Sequence, residues 1–141
     1  MFRHILAAFD GSEHSKAALR YALGLAEAFG SKLLIVHAYP HTSDLLGYTD
    51  FERLVSRRKG AGETVLGTAR HILEGSQVPV TEDLLEGPEA EAILAAAEVQ
   101  GVDLIVMGSR GLGALQNMVF GSVSRKVSHQ ARCPVMLVRA E

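Results

Sequence analysis

The sequence predicts an α/β fold, an open twisted five-stranded parallel sheet with helices on both faces. Short apolar runs alternate with longer amphipathic stretches, the pattern of βαβ units. Several of these runs are rich in Ile, Val and Leu, as strands covered on both faces require. At 141 residues, the chain can bury about 68–70% of its unfolded surface as one domain without help from a metal or disulfide.

The first strand is expected from His4 to Phe9. Asp10-Gly11-Ser12-Glu13 then offers an acidic or hydroxyl cap ahead of Ala17, Ala18, Leu19, Tyr21, Ala22, Leu25 and Ala26, which places a helix there. Gly30 ends it. The second strand spans Lys32 to Ala38. It is followed by the one long loop, Tyr39 to Thr49, a candidate lid because it leaves the sheet on the side where α/β folds bind ligands. Thr49-Asp50-Phe51-Glu52 has capping-box spacing and starts a second helix running to about Leu73. Gly60, Gly62 and Gly67 weaken that helix, each by about 1 kcal/mol relative to Ala.

The third strand is expected from Val78 to Leu85, and Gly87-Pro88-Glu89 puts a proline in the first turn of the next helix. The fourth strand runs from Asp103 to Met107. A last helix, near Ser122 to Ala131, leads into a fifth strand from Pro134 to Arg139. No second domain, low-complexity segment or fixed-period repeat interrupts this order, so residues 1–141 read as a single domain.

Composition narrows the function classes. Fourteen Lys and Arg against sixteen Asp and Glu give a net charge of −2, which argues against a nucleic-acid partner. The basic run Arg57-Arg58-Lys59 falls in a helix and reads as a solvated face. Cys133 is the only cysteine, so no intrachain disulfide forms, in keeping with a reducing compartment. The stretch Ile5 to Phe9 is too short for a signal-peptide core. No apolar run approaches the ~20 residues of a membrane helix, and cytoplasm is the expected location. The six histidines include no H-E-x-x-H and no zinc-like set, so no metal site is expected. His37 and His41, at the end of the second strand, are expected to pack or face solvent rather than bind.

The chemistry concentrates after the fourth strand, where the chain reads Met107-Gly108-Ser109-Arg110-Gly111-Leu112-Gly113 and then Gly121-Ser122-Val123-Ser124 at a helix start. The spacing is G-x2-G-x9-G-S. Glycines let backbone N–H groups approach an anion closely and tolerate positive φ, while a helix N-terminus supplies free donors and a partial positive charge. Gly121, Ser122 and Val123 therefore form a phosphate seat. A Walker loop would need Gly-Lys-Ser/Thr, and Gly113 is followed by Ala114 and Gly121 by Ser122; G-x-G-x-x-G fails at Gln116, and G-x-S-x-G is not met. Asp10 and Ser122 each have a competing role as helix caps, Met107 as a buried strand end, and Cys133 as a packed rather than reactive thiol.

Gly108-x2-Gly111-x9-Gly121-Ser122, together with Ile5 to Asp10, resembles the universal stress protein family over nearly the whole chain. The resemblance implies a sheet of order 3-2-1-4-5 and homodimers paired through the last strand. In that order the loops after Phe9 and Met107 open together at the reversal of winding, where α/β sheets bind ligands. It further implies that Phe9, Asp10 and Ala38 line an adenine and ribose pocket, that Met107 and Gly108 lie beside base and sugar, and that Gly111, Gly121, Ser122 and Val123 hold phosphates with Arg110 as a charge partner. ATP, with Mg²⁺ as its accompanying ion, is the implied ligand. The expected function is a nucleotide-responsive regulatory module of stress tolerance with little or no catalysis, because the motif loop has no carboxylate to hold a metal or place a water. The alternatives are a slow ATPase using Asp10, Asp103 lying at the wrong end of the sheet, and a nucleotide-free interaction protein.

Overall fold

The computed structural model describes residues 1–41, 48–111 and 120–140, without the side chains of Tyr48 and Thr49. Nine elements follow in the order β1 (His4–Ala8), α1 (Glu13–Phe29), β2 (Lys32–Tyr39), α2 (Tyr48–Ile72), β3 (Val80–Glu86), α3 (Glu89–Val99), β4 (Leu104–Gly108), α4 (Ser122–Gln130) and β5 (Val135–Val138). All four strand pairings are parallel, and the order is β3-β2-β1-β4-β5.

The period of two in the strands separates the core into two layers. Ile5, Ala7, Leu33, Ile35, Leu104 and Val106 face α1 and α2, meeting Ala18, Leu19, Ala22, Leu66 and Ala69. Leu6, Ala8, Leu34, Val36, Ile105 and Met107 face α3 and α4, meeting Ala90, Ile93, Ala97 and Val127. Every residue of β1 and β4 is buried, which is why those strands read as continuous apolar runs. The outer strands β3 and β5 are mostly half-buried or exposed. At the amino edge the Asp103 carboxylate accepts from the amides of Arg3 at 2.9 Å and His4 at 3.2 Å, tying β4 to the start of β1.

Several local expectations are corrected. The cap of α1 is Ser12, whose hydroxyl accepts from the Ser15 amide at 3.2 Å, rather than Asp10. Gly30, with φ 67°, closes that helix as expected. Pro88 is the N-cap of α3 and lies ahead of its first turn. Gly121, rather than Ser122, is the N-cap of α4, and no side chain caps that helix.

The three glycines of α2 do not break it. At Gly62 a Cβ would stand 2.5 Å from the Leu84 Cδ1 and 3.3 Å from the His37 ring, so close crossing of the sheet favours glycine there. Of the basic run, Arg57 and Lys59 are exposed, but Arg58 is half-buried and donates to the carbonyls of Pro40 at 3.1 Å and His41 at 2.7 Å. It fastens α2 to the chain leaving β2. Most of the expected lid, 42–47, lies outside the described residues, as does Gly113. No described helix is long and apolar enough to cross a membrane.

Candidate functional site

The first strand leads leftward in the sheet to β2, and the chain later crosses back to lay β4 on the other side of β1. Their carboxyl ends diverge at that reversal, and a cavity of about 520 Å³ opens there. Its size is within the range of small-molecule sites, about 300–1,000 Å³. Phe9, Asp10, Ala38, Met107, Gly108, Arg110, Gly111, Gly121, Ser122 and Val123 all line it. The ten residues singled out in the sequence are thus assembled around one space by four separate segments.

Each segment is held by backbone demands. Gly11, with φ 84°, turns the chain after β1, and the Asp10 Oδ1 accepts from the Ser12 amide at 2.9 Å. The other carboxylate oxygen faces Gly111, where a Cβ would lie 2.5 Å from it. At Gly108 a Cβ would meet His14 carbon atoms at 2.8 Å and the Ser15 nitrogen at 2.9 Å. Backbone cannot yield as a side-chain tip can, so this glycine is what lets α1 rest on the end of β4. None of Gly108, Gly111 and Gly121 has positive φ. Close approach, rather than the left-handed conformation, accounts for the first two.

The start of α4 is tied back by the Gly121 amide, which donates to the Ser109 carbonyl at 2.7 Å, and by the Ser124 hydroxyl, which donates to the same carbonyl at 2.7 Å. The following amides of Ser122 and Val123 lie at an uncapped helix N-terminus on the cavity wall. That end carries partial positive charge. Arg110, half-buried beside it, contacts the His14 ring.

The wall also contains residues not assigned to it from sequence, among them Val65, Glu89 and Ile93. Glu89 opens α3 immediately after β3, so its position at the carboxyl edge of the sheet was the available signal. Much of its side chain is exposed, yet its carboxyl lies among the pocket walls. That burial, and then repulsion from Asp10, raises its pKa above the ordinary carboxylate value. His37, expected to pack or face solvent, packs and also lines the cavity. Its Nδ1 faces the Phe9 carbonyl at 2.8 Å and must donate to it, which leaves Nε2 unprotonated in the neutral ring. His41 lies outside the wall and pairs with Glu86 at 2.6 Å. Cys133 is half-buried, and burial pushes its thiol pKa up, away from reactivity. Among the described residues no three His, Cys, Asp or Glu gather to hold a metal ion.

The family model described as the universal stress protein family matches residues 1–139. A relative from Thermus aquaticus, the universal stress protein in QAH/OAS sulfhydrylase 3'region, is 48% identical over 141 residues, covering 99% of this chain and 100% of its own. Among solved structures, the hypothetical protein MJ0577 superposes with a TM-score of 0.90 at 24% identity, covering 100% of this chain and 98% of that one. A universal stress protein from Arabidopsis thaliana with AMP bound superposes with a TM-score of 0.73 at 21% identity, covering 99% and 92%. At those identities the two structures establish a shared fold.

Proposed function

We propose, for a chain that belongs to the universal stress protein family, that the cavity between the ends of β1 and β4 binds ATP and that occupancy regulates the protein rather than fuelling rapid catalysis. Gly121 is the decisive feature. Among the described residues a Cβ there would meet only ordinary contacts, the nearest 3.5 Å away at the Arg110 Cα, and its φ of −79° suits any residue. The described residues make no steric demand for glycine at this position, whereas a phosphate seated on the amides of Ser122 and Val123 does.

The assignments within the site follow its polarity. Gly111, Gly121, Ser122, Val123 and Arg110 form the donor-rich end and take the phosphates. Phe9, Asp10, Ala38, Met107 and Gly108 form the end nearer the strands and take base and sugar. The Arabidopsis relative's AMP supports an adenine nucleotide as the ligand class and makes AMP the competing ligand to ATP. Mg²⁺ would arrive on the phosphates, with Asp10 as the carboxylate within the wall nearest the loop. Fast hydrolysis would require further groups to hold that ion and orient water. Asp103 cannot serve, since it is bound to the amides of Arg3 and His4 at the opposite edge.

A homodimer paired through β5 belongs to the same reading. Among the described residues this strand pairs with β4 on one side only, and Val135, Met136 and Leu137 are half-buried. An unpaired apolar edge is an aggregation hazard that a second copy would cover. The proposed location is the cytoplasm.

Equilibrium dialysis of nucleotide-stripped protein against ATP and AMP tests the proposal. Saturable binding of ATP that Gly121→Val removes is the expected result. Absence of binding to the unaltered protein overturns it.

A further inference from the structure

His14, on the first turn of α1, stands between two donors that cannot both be satisfied. The Ala140 amide, just beyond β5, approaches its Nδ1 at 2.8 Å. On the other side of the ring, the Arg110 Nε and one terminal guanidinium nitrogen approach Nε2 at 3.3 Å and 3.1 Å. A neutral imidazole has one bare nitrogen, so it accepts from one neighbour and turns an N–H toward the other; a protonated ring accepts from neither. Arginine always donates, and a backbone amide always donates. The ring is a contested acceptor between the pocket cation and the end of the edge strand.

Resting on the nucleotide reading above, we infer that His14 is a positioning residue that couples pocket occupancy to the Ala140 end of β5 through this competition. Without a ligand, Arg110 competes for Nε2 and favours the Nδ1–H tautomer, which opposes the Ala140 amide. An anionic phosphate in the pocket is a stronger acceptor for guanidinium than a neutral ring. It draws Arg110 toward the cavity, which Arg110 already lines. The proton then moves to Nε2, and the bare Nδ1 holds Ala140. The coupling needs no backbone rearrangement, because it changes only which ring nitrogen of His14 carries the proton and which acceptor the Arg110 side chain serves. Its consequence reaches the strand whose outer edge the dimer reading uses.

Ring nitrogen-15 NMR of His14 distinguishes the two tautomers, and the amide exchange of Ala140 reports its hydrogen bond. Both are measured on the full chain without nucleotide and then saturated with ATP, with calorimetry on the same samples. Removing the competitor by Arg110→Met, with no ligand present, should shift the ring to Nε2–H and slow Ala140 exchange about fivefold, the protection of one ordinary hydrogen bond. ATP should produce the same two changes in the unaltered protein, and His14→Phe should abolish the ATP effect on Ala140. If Arg110→Met moves neither signal, the competition does not exist and the inference falls, whatever ATP does. If Arg110→Met moves both while calorimetry shows no ATP binding, the competition stands and the nucleotide reading falls. If ATP binds and leaves both signals unmoved, the coupling is overturned while the nucleotide reading survives.

Discussion

The Asp10 carboxylate and the Gly111 backbone lie so close that a Cβ on Gly111 would sit 2.5 Å from the Asp10 Oδ2. The loop after β1 and the loop after β4 are therefore fitted to each other through a missing side chain. Gly111→Ala should displace the carboxylate and weaken its bond to the Ser12 amide, worth about 1 kcal/mol. Calorimetry should show ATP affinity reduced roughly tenfold or more, with the circular dichroism spectrum unchanged.

Gly121→Val should separate ligand contact from folding. Among the described residues a Cβ at this position comes no nearer than 3.5 Å to any atom, and loss of a favourable N-cap residue costs about 1 kcal/mol, or about 4 °C in melting temperature for a domain of this size. ATP affinity should fall beyond about a hundredfold. A melting temperature lowered far more than this would mean that the glycine serves the fold.

Glu89 gives the pocket a pH dependence with a definite sign. Its folded pKa is raised, first by burial and then by Asp10. The folded state therefore binds its proton more tightly than the unfolded chain does, and the associated stability is present at low pH and lost as pH rises through the folded value. Glu89→Gln should stabilise the protein at pH 7 by no more than about 1 kcal/mol, given the exposure of the side chain. That gain should vanish below the usual carboxylate range. Removing one negative charge should also tighten metal-free ATP binding at pH 7 by up to about fivefold.

Asp103 should show the opposite sign. Burial raises its pKa, but the amides of Arg3 and His4 outweigh that effect and hold it below the ordinary value. Its contribution is present above the unfolded value and lost as pH falls through the folded one. Asp103→Ala should destabilise the protein at pH 7 by about 1 kcal/mol, because solvent screens this exposed carboxylate and reduces the worth of its hydrogen bonds. In acid the melting curves of variant and unaltered protein should converge.

For the proposed dimer, Leu137→Lys on the half-buried edge strand should convert dimer to monomer in light scattering at micromolar concentration. Finding the unaltered chain monomeric would remove β5 pairing from the proposal.

The elements were legible in the chain because their causes are local. A buried parallel strand such as Leu104–Gly108 must be apolar on both faces, a helix such as Glu89–Val99 must show an apolar stripe, and the positive φ at Gly30 favours glycine. Caps were less legible. Asp10 and Ser12 are both competent cap residues two positions apart, and the turn at Gly11 decided for Ser12. Gly60, Gly62 and Gly67 suggested a weak helix because propensity counts backbone entropy alone; at Gly62 the approach of α2 to Leu84 and His37 outweighed it.

By itself the sequence determined the strand and helix order, the glycine spacing after β4 and the family, since each is written in neighbouring or fixed-offset residues. Only the tertiary structure decided that Glu89 shares the wall with Asp10, that His37 and Val65 reach the same cavity, and that His14 stands between Arg110 and Ala140. These relations join residues far apart in the chain, and no local pattern encodes them. They arise when a parallel sheet gathers the carboxyl ends of its strands along one edge and packing brings α1 onto β4 at Gly108.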